Sequence, residues 1–151
     1  MKKNESNQVK RIENESEVRT YLDRLRYALQ SGHAKINFQK DRIVDQSRDR
    51  RFTNRYTLLN LFPDEDEVEV LKRELAFLTV ENYIETVKDT RFLHKSEMRV
   101  FGKKYSSEDV YIKIRVELLT ATGSAIFVMS FHFAERVFLD SDFTYNRDRG
   151  E

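Results

Sequence analysis

Apolar and polar residues alternate along the segment from Val110 to Leu118. Every second residue there is aliphatic, and the residues between are Tyr111, Lys113, Arg115 and Glu117. A period of two is typical of a strand that buries one face. A second, mostly apolar run follows from Ser124 to Phe133, after a short loop that ends at Gly123. The pattern predicts an antiparallel hairpin, around which the rest of the chain is organised.

The register of this hairpin decides which side chains share a face. Pairing Leu119 with Ser124 across a four-residue loop predicts three apolar pairs, Ile112 with Phe131, Ile114 with Met129 and Val116 with Phe127. A slip by one residue would turn His132 towards the core, so we favour the first register. The other face then carries five polar or aromatic residues, Tyr111, Lys113, Arg115, Ser130 and His132.

A third strand is predicted around Met98 and Val100, with a turn over residues 102–108. Pairing Lys103 with Asp109 places Arg99 and Phe101 on the polar surface of the hairpin. The same pairing turns Met98 and Val100 towards the core. Residues from 136 onwards are expected to add an edge strand and then a polar tail.

Helical spacing dominates the first half of the chain. Asn14 and Glu17 form a capping-box pattern, and Gly32 is a suitable stop, which predicts a helix from Glu15 to Ser31. A short strand is predicted around Ile36. The acidic run 64–67 favours a helix N-terminus, and Leu71 and Leu75 continue that helix at the expected spacing.

Thr79 is expected to cap a further short helix. Tyr83, Ile84 and Val87 would form its inward face. Helices in the first half and strands in the second predict an α+β fold, with the helices on one face of a C-terminal antiparallel sheet. We expect a polar flexible tail over residues 1–14, a single domain over 15–145 and a polar tail over 146–151.

Composition restricts the possible functions. Positive and negative residues nearly cancel to a formal net charge of +1, so any basic surface for nucleic acid must be local. The chain has no cysteine, and its three histidines, His33, His94 and His132, lack the spacing of zinc ligands. No run is long and apolar enough to span a membrane, and the N-terminus lacks a secretory signal pattern. These features predict a cytoplasmic protein and argue against a zinc site, and we expect no cofactor.

An arginine-rich segment lies between the first strand and the next helix. Residues 41–55 contain Arg42, Arg48, Arg50, Arg51 and Arg55 among three aspartates. Two interpretations are open: a solvated loop that leads into a helix, or a loop that contacts phosphate, for which arginine has matching donor geometry.

Three segments in order, LTVENYIETVKD, VFGKKYSSEDVYIKIRV and FVMSFHFAE, carry a family resemblance over residues 75–135. They resemble the MqsR family of toxins from bacterial toxin–antitoxin systems. The resemblance implies a RelE-like fold, endoribonuclease activity on mRNA, an antitoxin protein as partner and no metal cofactor. The family's catalytic tyrosine matches Tyr111. Its two lysines and its glutamine fall on Glu85, His132 and a position near Glu97 or Met98.

RNA cleavage without metal needs a base for the 2′-hydroxyl, an acid for the 5′-oxygen and cations for the charged transition state. His132 has a suitable pKa range as a residue type. We therefore expect His132, Tyr111 and Lys113 to be catalytic. The residues expected to bind RNA are Arg99, Phe101, Lys103, Lys104 and Arg115. A non-enzymatic module that binds nucleic acid or protein on the same face is the alternative.

Overall fold

Six strands form one mixed sheet in the computed structural model, which describes residues 7–32, 34–41, 49–119 and 123–146. The sheet order is β1-β3-β4-β5-β6-β2, and only the pairing of β2 with β6 is parallel. The strands are β1 (Gln8–Arg11), β2 (Lys35–Phe38), β3 (Tyr83–Asp89), β4 (Met98–Tyr105), β5 (Glu108–Leu119) and β6 (Gly123–Phe133).

Three α-helices lie in the first half: α1 (Glu15–Ser31), α2 (Asn54–Leu61) and α3 (Glu67–Ala76). The capping box of α1 is present, because Asn14 accepts from the Glu17 amide and Glu17 accepts from the Asn14 amide. Gly32 ends α1 in the left-handed region at φ 81°. Asp66 caps α3 by accepting from the Glu69 amide. The α+β prediction is confirmed.

All three helices pack on one face of the sheet, which we call the helix face. Leu25 of α1, Leu58 of α2 and Leu71 of α3 join one buried cluster with the inward residues of the strands, Phe101, Val110, Ile112, Ile114, Ile126, Val128, Phe131 and Phe133. The opposite face, which we call the second face, has a smaller cluster around Val87, Met98 and Val100. No helix residue of the described chain belongs to that cluster.

Helix α2 closes the edge of β6 where β2 ends. β2 pairs with β6 only as far as Val128. Beyond that point the Asn54 side chain accepts from the Phe131 amide and donates to the Met129 carbonyl, and the Thr57 hydroxyl accepts from the Phe133 amide. Side chains of α2 therefore replace a missing strand and satisfy backbone groups that an edge would leave unpaired.

The predicted pairing of β4 with β5 is wrong by one residue. Gly102, not Phe101, pairs with Tyr111, and the strands meet in a two-residue turn at Ser106 and Ser107. Both serines have positive φ, 53° and 71°, as a type I′ hairpin requires. A one-residue slip exchanges the two faces. Arg99 and Phe101 therefore lie on the helix face, and Met98 and Val100 on the second face.

The predicted β5–β6 register is confirmed in one half only. Tyr111 pairs with His132, Ile112 with Phe131 and Lys113 with Ser130, but Ile114 pairs with Val128. A bulge at Met129 shifts the register there. Past the bulge, the predicted pairing of Ile114 with Met129 and of Val116 with Phe127 is wrong. Their partners are Val128 and Ile126, and these two residues are buried. The pairing of Leu119 is also with Gly123 rather than Ser124.

Four further predictions differ from the structure. Thr79 precedes a single 3₁₀ turn, Val80–Asn82, and Tyr83, Ile84 and Val87 belong to strand β3 rather than to a helix. Gln8–Arg11 is not part of a flexible tail, because it pairs antiparallel with β3. The sheet is mixed and includes strands from the first half. After β6 the described chain contains one 3₁₀ turn and no edge strand.

Candidate functional site on the second face of the sheet

On the second face, paired residues of β4, β5 and β6 form rows that run across the three strands. The first row is Gly102, Tyr111 and His132, from β4, β5 and β6. The second row is Val100, Lys113 and Ser130. The third row is Met98, Arg115 and Phe127, and Phe127 lies past the bulge in β6. The structure therefore brings together the three residues predicted to be catalytic, His132, Tyr111 and Lys113, and places Arg115 next to Lys113 along the same face of β5.

Tyr111 and His132 form the aromatic part of the site. Their rings are parallel, with centroids 5.4 Å apart. His132 is only 7% exposed, and its Nδ1 lies 2.9 Å from the Phe133 carbonyl oxygen. A carbonyl oxygen only accepts hydrogen bonds, so Nδ1 is the donor in this contact. Burial and this hydrogen bond thus hold the ring in one orientation.

An aromatic ring from the segment after β6, that of Phe138, lies at the β4 end of the first row. Phe138 lies over Gly102, and a Cβ atom at position 102 would be 2.6 Å from Phe138 Cε2. The Phe138 amide donates to the Asp109 carboxylate, and its ring meets Phe143 edge to face. Glycine at position 102 therefore leaves room for a third aromatic residue beside Tyr111 and His132, a feature that sequence reasoning missed.

Arg115 forms the cationic end of the site. Its guanidinium carbon lies 4.4 Å from the centroid of the Phe127 ring, in cation–π geometry. Its Nε lies 3.4 Å from Glu117 Oε2, without a hydrogen bond. Lys113 is half-buried between this arginine and Tyr111 along β5.

Four other predicted RNA-binding residues lie elsewhere or at the margin. Arg99 and Phe101 are on the helix face, where Phe101 is buried and Arg99 pairs with Glu13. Lys103 also leaves the site, since its ammonium group lies 5.5 Å from the ring centroids of both Phe77 and Tyr105. Lys104 is exposed near the end of β4, where it pairs with Asp109 at 2.9 Å.

The arginine-rich segment is described only in part. Arg42 and Arg48, like His33, lie outside the described residues. Arg51 pairs with Glu108 at 2.6 Å and covers the Phe133 ring, and Arg55 pairs with Asp41. Both arginines therefore have protein partners, which agrees with the solvated-loop interpretation at these two positions.

A buried polar network on the helix face was not predicted from the sequence. Glu13 is 4% exposed and accepts two hydrogen bonds from the Arg99 guanidinium and one from the Thr86 hydroxyl. The Tyr83 hydroxyl joins Thr86 at 2.7 Å, and Tyr145 donates to the Glu13 carbonyl oxygen. Burial raises the pKa of Glu13, but the hydrogen bonds from Arg99 and Thr86 outweigh it and leave that pKa below its usual value.

Comparison with protein-family models, curated protein sequences and solved structures gave no match to this chain. Within the described residues, no three His, Asp or Glu side chains are grouped as metal ligands. Among the described helices, none has the length and apolar character to cross a membrane. The absence of a cofactor stays a prediction.

Proposed function

We propose that the second face binds RNA and cleaves it, and that the chain is a divergent MqsR-like toxin of a toxin–antitoxin system. The observation that carries the proposal is the parallel pair of Tyr111 and His132, followed along β5 by Lys113 and Arg115, on the face whose apolar cluster includes no residue of the described α-helices. A proton-exchanging ring, an aromatic surface and cations are the groups that metal-free RNA cleavage requires.

The positions matched by the family resemblance support the same conclusion. Glu85, Met98, Tyr111 and His132 come from four different strands, and all lie on the second face by their pairing. The family's glutamine matches a position near Glu97 or Met98, and of these two it is Met98 that lies on the second face. The proposal also includes a RelE-like arrangement of the fold, an mRNA substrate and a cognate antitoxin.

The chemistry assigned to the residues is transesterification. A base removes the proton of the 2′-hydroxyl, the 2′-oxygen forms a bond to phosphorus, and the 5′-oxygen leaves with a proton from an acid. His132, through Nε2, and Tyr111, through its hydroxyl, are the two groups that exchange these protons. Lys113 stabilises the charge on the phosphoryl oxygens. DNA lacks the 2′-hydroxyl and is expected to resist cleavage.

The test is incubation of purified protein with RNA, with and without EDTA. We expect cleavage in both conditions, with His132→Ala and Tyr111→Phe each lowering the rate by about 100-fold or more. His94→Ala is the matched control, because His94 is an exposed loop histidine outside the three rows of the site. Cleavage that EDTA abolishes would contradict the metal-free mechanism, and equal rates in all four proteins would contradict the site.

The burial of His132 favours a second candidate, a module that binds nucleic acid without cleaving it. A ring that is 7% exposed is poorly accessible to a ribose. This alternative predicts tight RNA binding with the RNA left intact, and expression without growth arrest. Growth arrest that His132→Ala relieves, in cells that still contain the folded variant, would instead support the toxin.

A further inference from the structure

Arg115 has a buried donor, its Nε, without a hydrogen bond among the described residues. Its side chain is 13% exposed, and Nε has no hydrogen-bond partner in the described chain. Within the same residues, its only carboxylate within 4 Å is Glu117. That carboxylate already accepts a hydrogen bond from the Ser96 amide. A buried donor left without an acceptor is costly and unusual in a native fold.

Arg99 gives the matched comparison on the same sheet. Its side chain is 16% exposed, close to the value for Arg115, yet two of its nitrogens donate to Glu13 at 2.8 and 3.0 Å. Glu13 therefore forms hydrogen bonds with the Arg99 guanidinium, whereas Glu117 pairs with Arg115 without a hydrogen bond at Nε. The difference indicates that the acceptor for Arg115 comes from a ligand.

Phosphate is the acceptor that the geometry favours. The planar guanidinium offers parallel donors that fit phosphate oxygens, and the Phe127 ring beneath it holds the plane in place. Arg115 also follows Lys113 and Tyr111 on one face of β5, about 14 Å along the strand from Tyr111. The three residues form a line rather than a single cluster.

We propose that Arg115 binds a backbone phosphate of a single-stranded RNA that runs along β5, separate from the phosphate held at Tyr111 and His132. The inference rests on the proposed function and adds a second contact point to it. It makes Arg115 a binding residue that positions the strand rather than a catalytic residue. It also predicts that very short RNAs, which cannot reach both points, bind weakly.

The experiment measures binding of a 2′-O-methyl RNA 12-mer, which cannot be cleaved by this chemistry, by fluorescence anisotropy at several salt concentrations. We expect Arg115→Gln to weaken binding about tenfold or more and to lower the slope of log K against log salt by about 0.7, the value for one phosphate of a single strand. Arg115→Lys should restore the slope but only part of the affinity.

Arg24→Gln is the matched control, because Arg24 is an exposed arginine of α1 with the same charge. A second readout guards against misfolding: Arg115→Met should keep the circular dichroism spectrum of the wild type while weakening RNA binding, since methionine keeps the contact with the Phe127 ring and removes the charge. Equal binding by Arg115→Gln and Arg24→Gln would overturn the inference alone. Absence of RNA binding by the wild type would overturn the proposed function as well.

Two other results would also overturn the inference. The first is that inorganic phosphate binds at Arg115 while the RNA affinity does not depend on that residue. The second is that Arg115→Gln abolishes capture of a protein partner and leaves RNA binding intact. That second result would assign Arg115 to a protein interface.

Discussion

Glu13 keeps its charge inside the protein because three donors surround it. Arg99 supplies two of them and Thr86 the third. Glu13 precedes α1, whereas Thr86 and Arg99 are paired residues of β3 and β4, so the network joins the first helix to the sheet. Glu13 is more than 70 residues away from Thr86 and Arg99 along the sequence. No local sequence pattern therefore predicts this network.

Glu13→Gln should lower the free energy of unfolding by about 3 kcal/mol, because it leaves the Arg99 guanidinium buried with an incomplete partner. Urea denaturation at pH 7 measures this loss, and Glu69→Gln on the exposed side of α3 should cost less than about 1 kcal/mol. A lowered carboxyl pKa stabilises the fold above the unfolded value of about 4.3 and stops doing so as pH falls through the folded value. The difference between wild type and Glu13→Gln should therefore shrink from pH 6 to pH 3. A constant difference would contradict this account.

At the scale of elements, the turn at Ser106 and Ser107 determines which residues form the site. Both serines have positive φ, a conformation that costs about 1 kcal/mol or more for a residue with a Cβ atom. We expect Ser106→Asn with Ser107→Gly to raise the free energy of unfolding by about 1 kcal/mol. Thermal and urea unfolding measure the change. Destabilisation by this pair would show that the hairpin does not use a type I′ turn.

The same turn explains why the site was only half predictable. Period two correctly placed Tyr111, Lys113, Arg115 and His132 on one face, since that inference used β5 and the adjacent end of β6. The sequence Ser-Ser lacks the Asn-Gly signal of a two-residue turn, so the pairing with β4 was placed one residue out. That error moved Arg99 onto the wrong face.

Bulges account for the other missed features. In β3 the register shifts between Tyr83 and Glu85, and the buried residues are Tyr83, Thr86 and Val87. Burial at the first, fourth and fifth positions is also the pattern of a helix. A strand interrupted by a bulge thus resembles a helix in sequence. The helix α1, with no such interruption and clear caps, was predicted to the residue.

Docking of α2 against β6 depends on Asn54. Its side chain makes three hydrogen bonds, to the Phe131 amide and to the carbonyls of Met129 and Gln39. Asn54→Ala should lower the free energy of unfolding by about 2 kcal/mol or more and speed hydrogen exchange at the Phe131 amide. Asn60→Ala, on the exposed side of the same helix, is the control and should change neither. Unchanged exchange at Phe131 in Asn54→Ala would contradict this role.

At the scale of the whole molecule, charge limits how RNA can bind. A formal net charge of +1 gives no general attraction, so affinity must come from a few contacts on one face. The helix face is filled by the main core, and the second face carries the aromatic and cationic rows. We therefore expect RNA to contact the second face and not the helix face.

The chain contains three methionines, and two of them, Met98 and Met129, belong to the apolar cluster of the second face. The most direct measurement is an NMR titration of ¹³C-methyl-methionine and ¹³C-methyl-isoleucine protein with the 2′-O-methyl RNA. We expect the methyl signals of Met98 and Met129 to shift with RNA, whereas those of Ile112 and Ile126, buried on the helix face, stay in place. Shifts at the isoleucines with unchanged methionine signals would contradict the account.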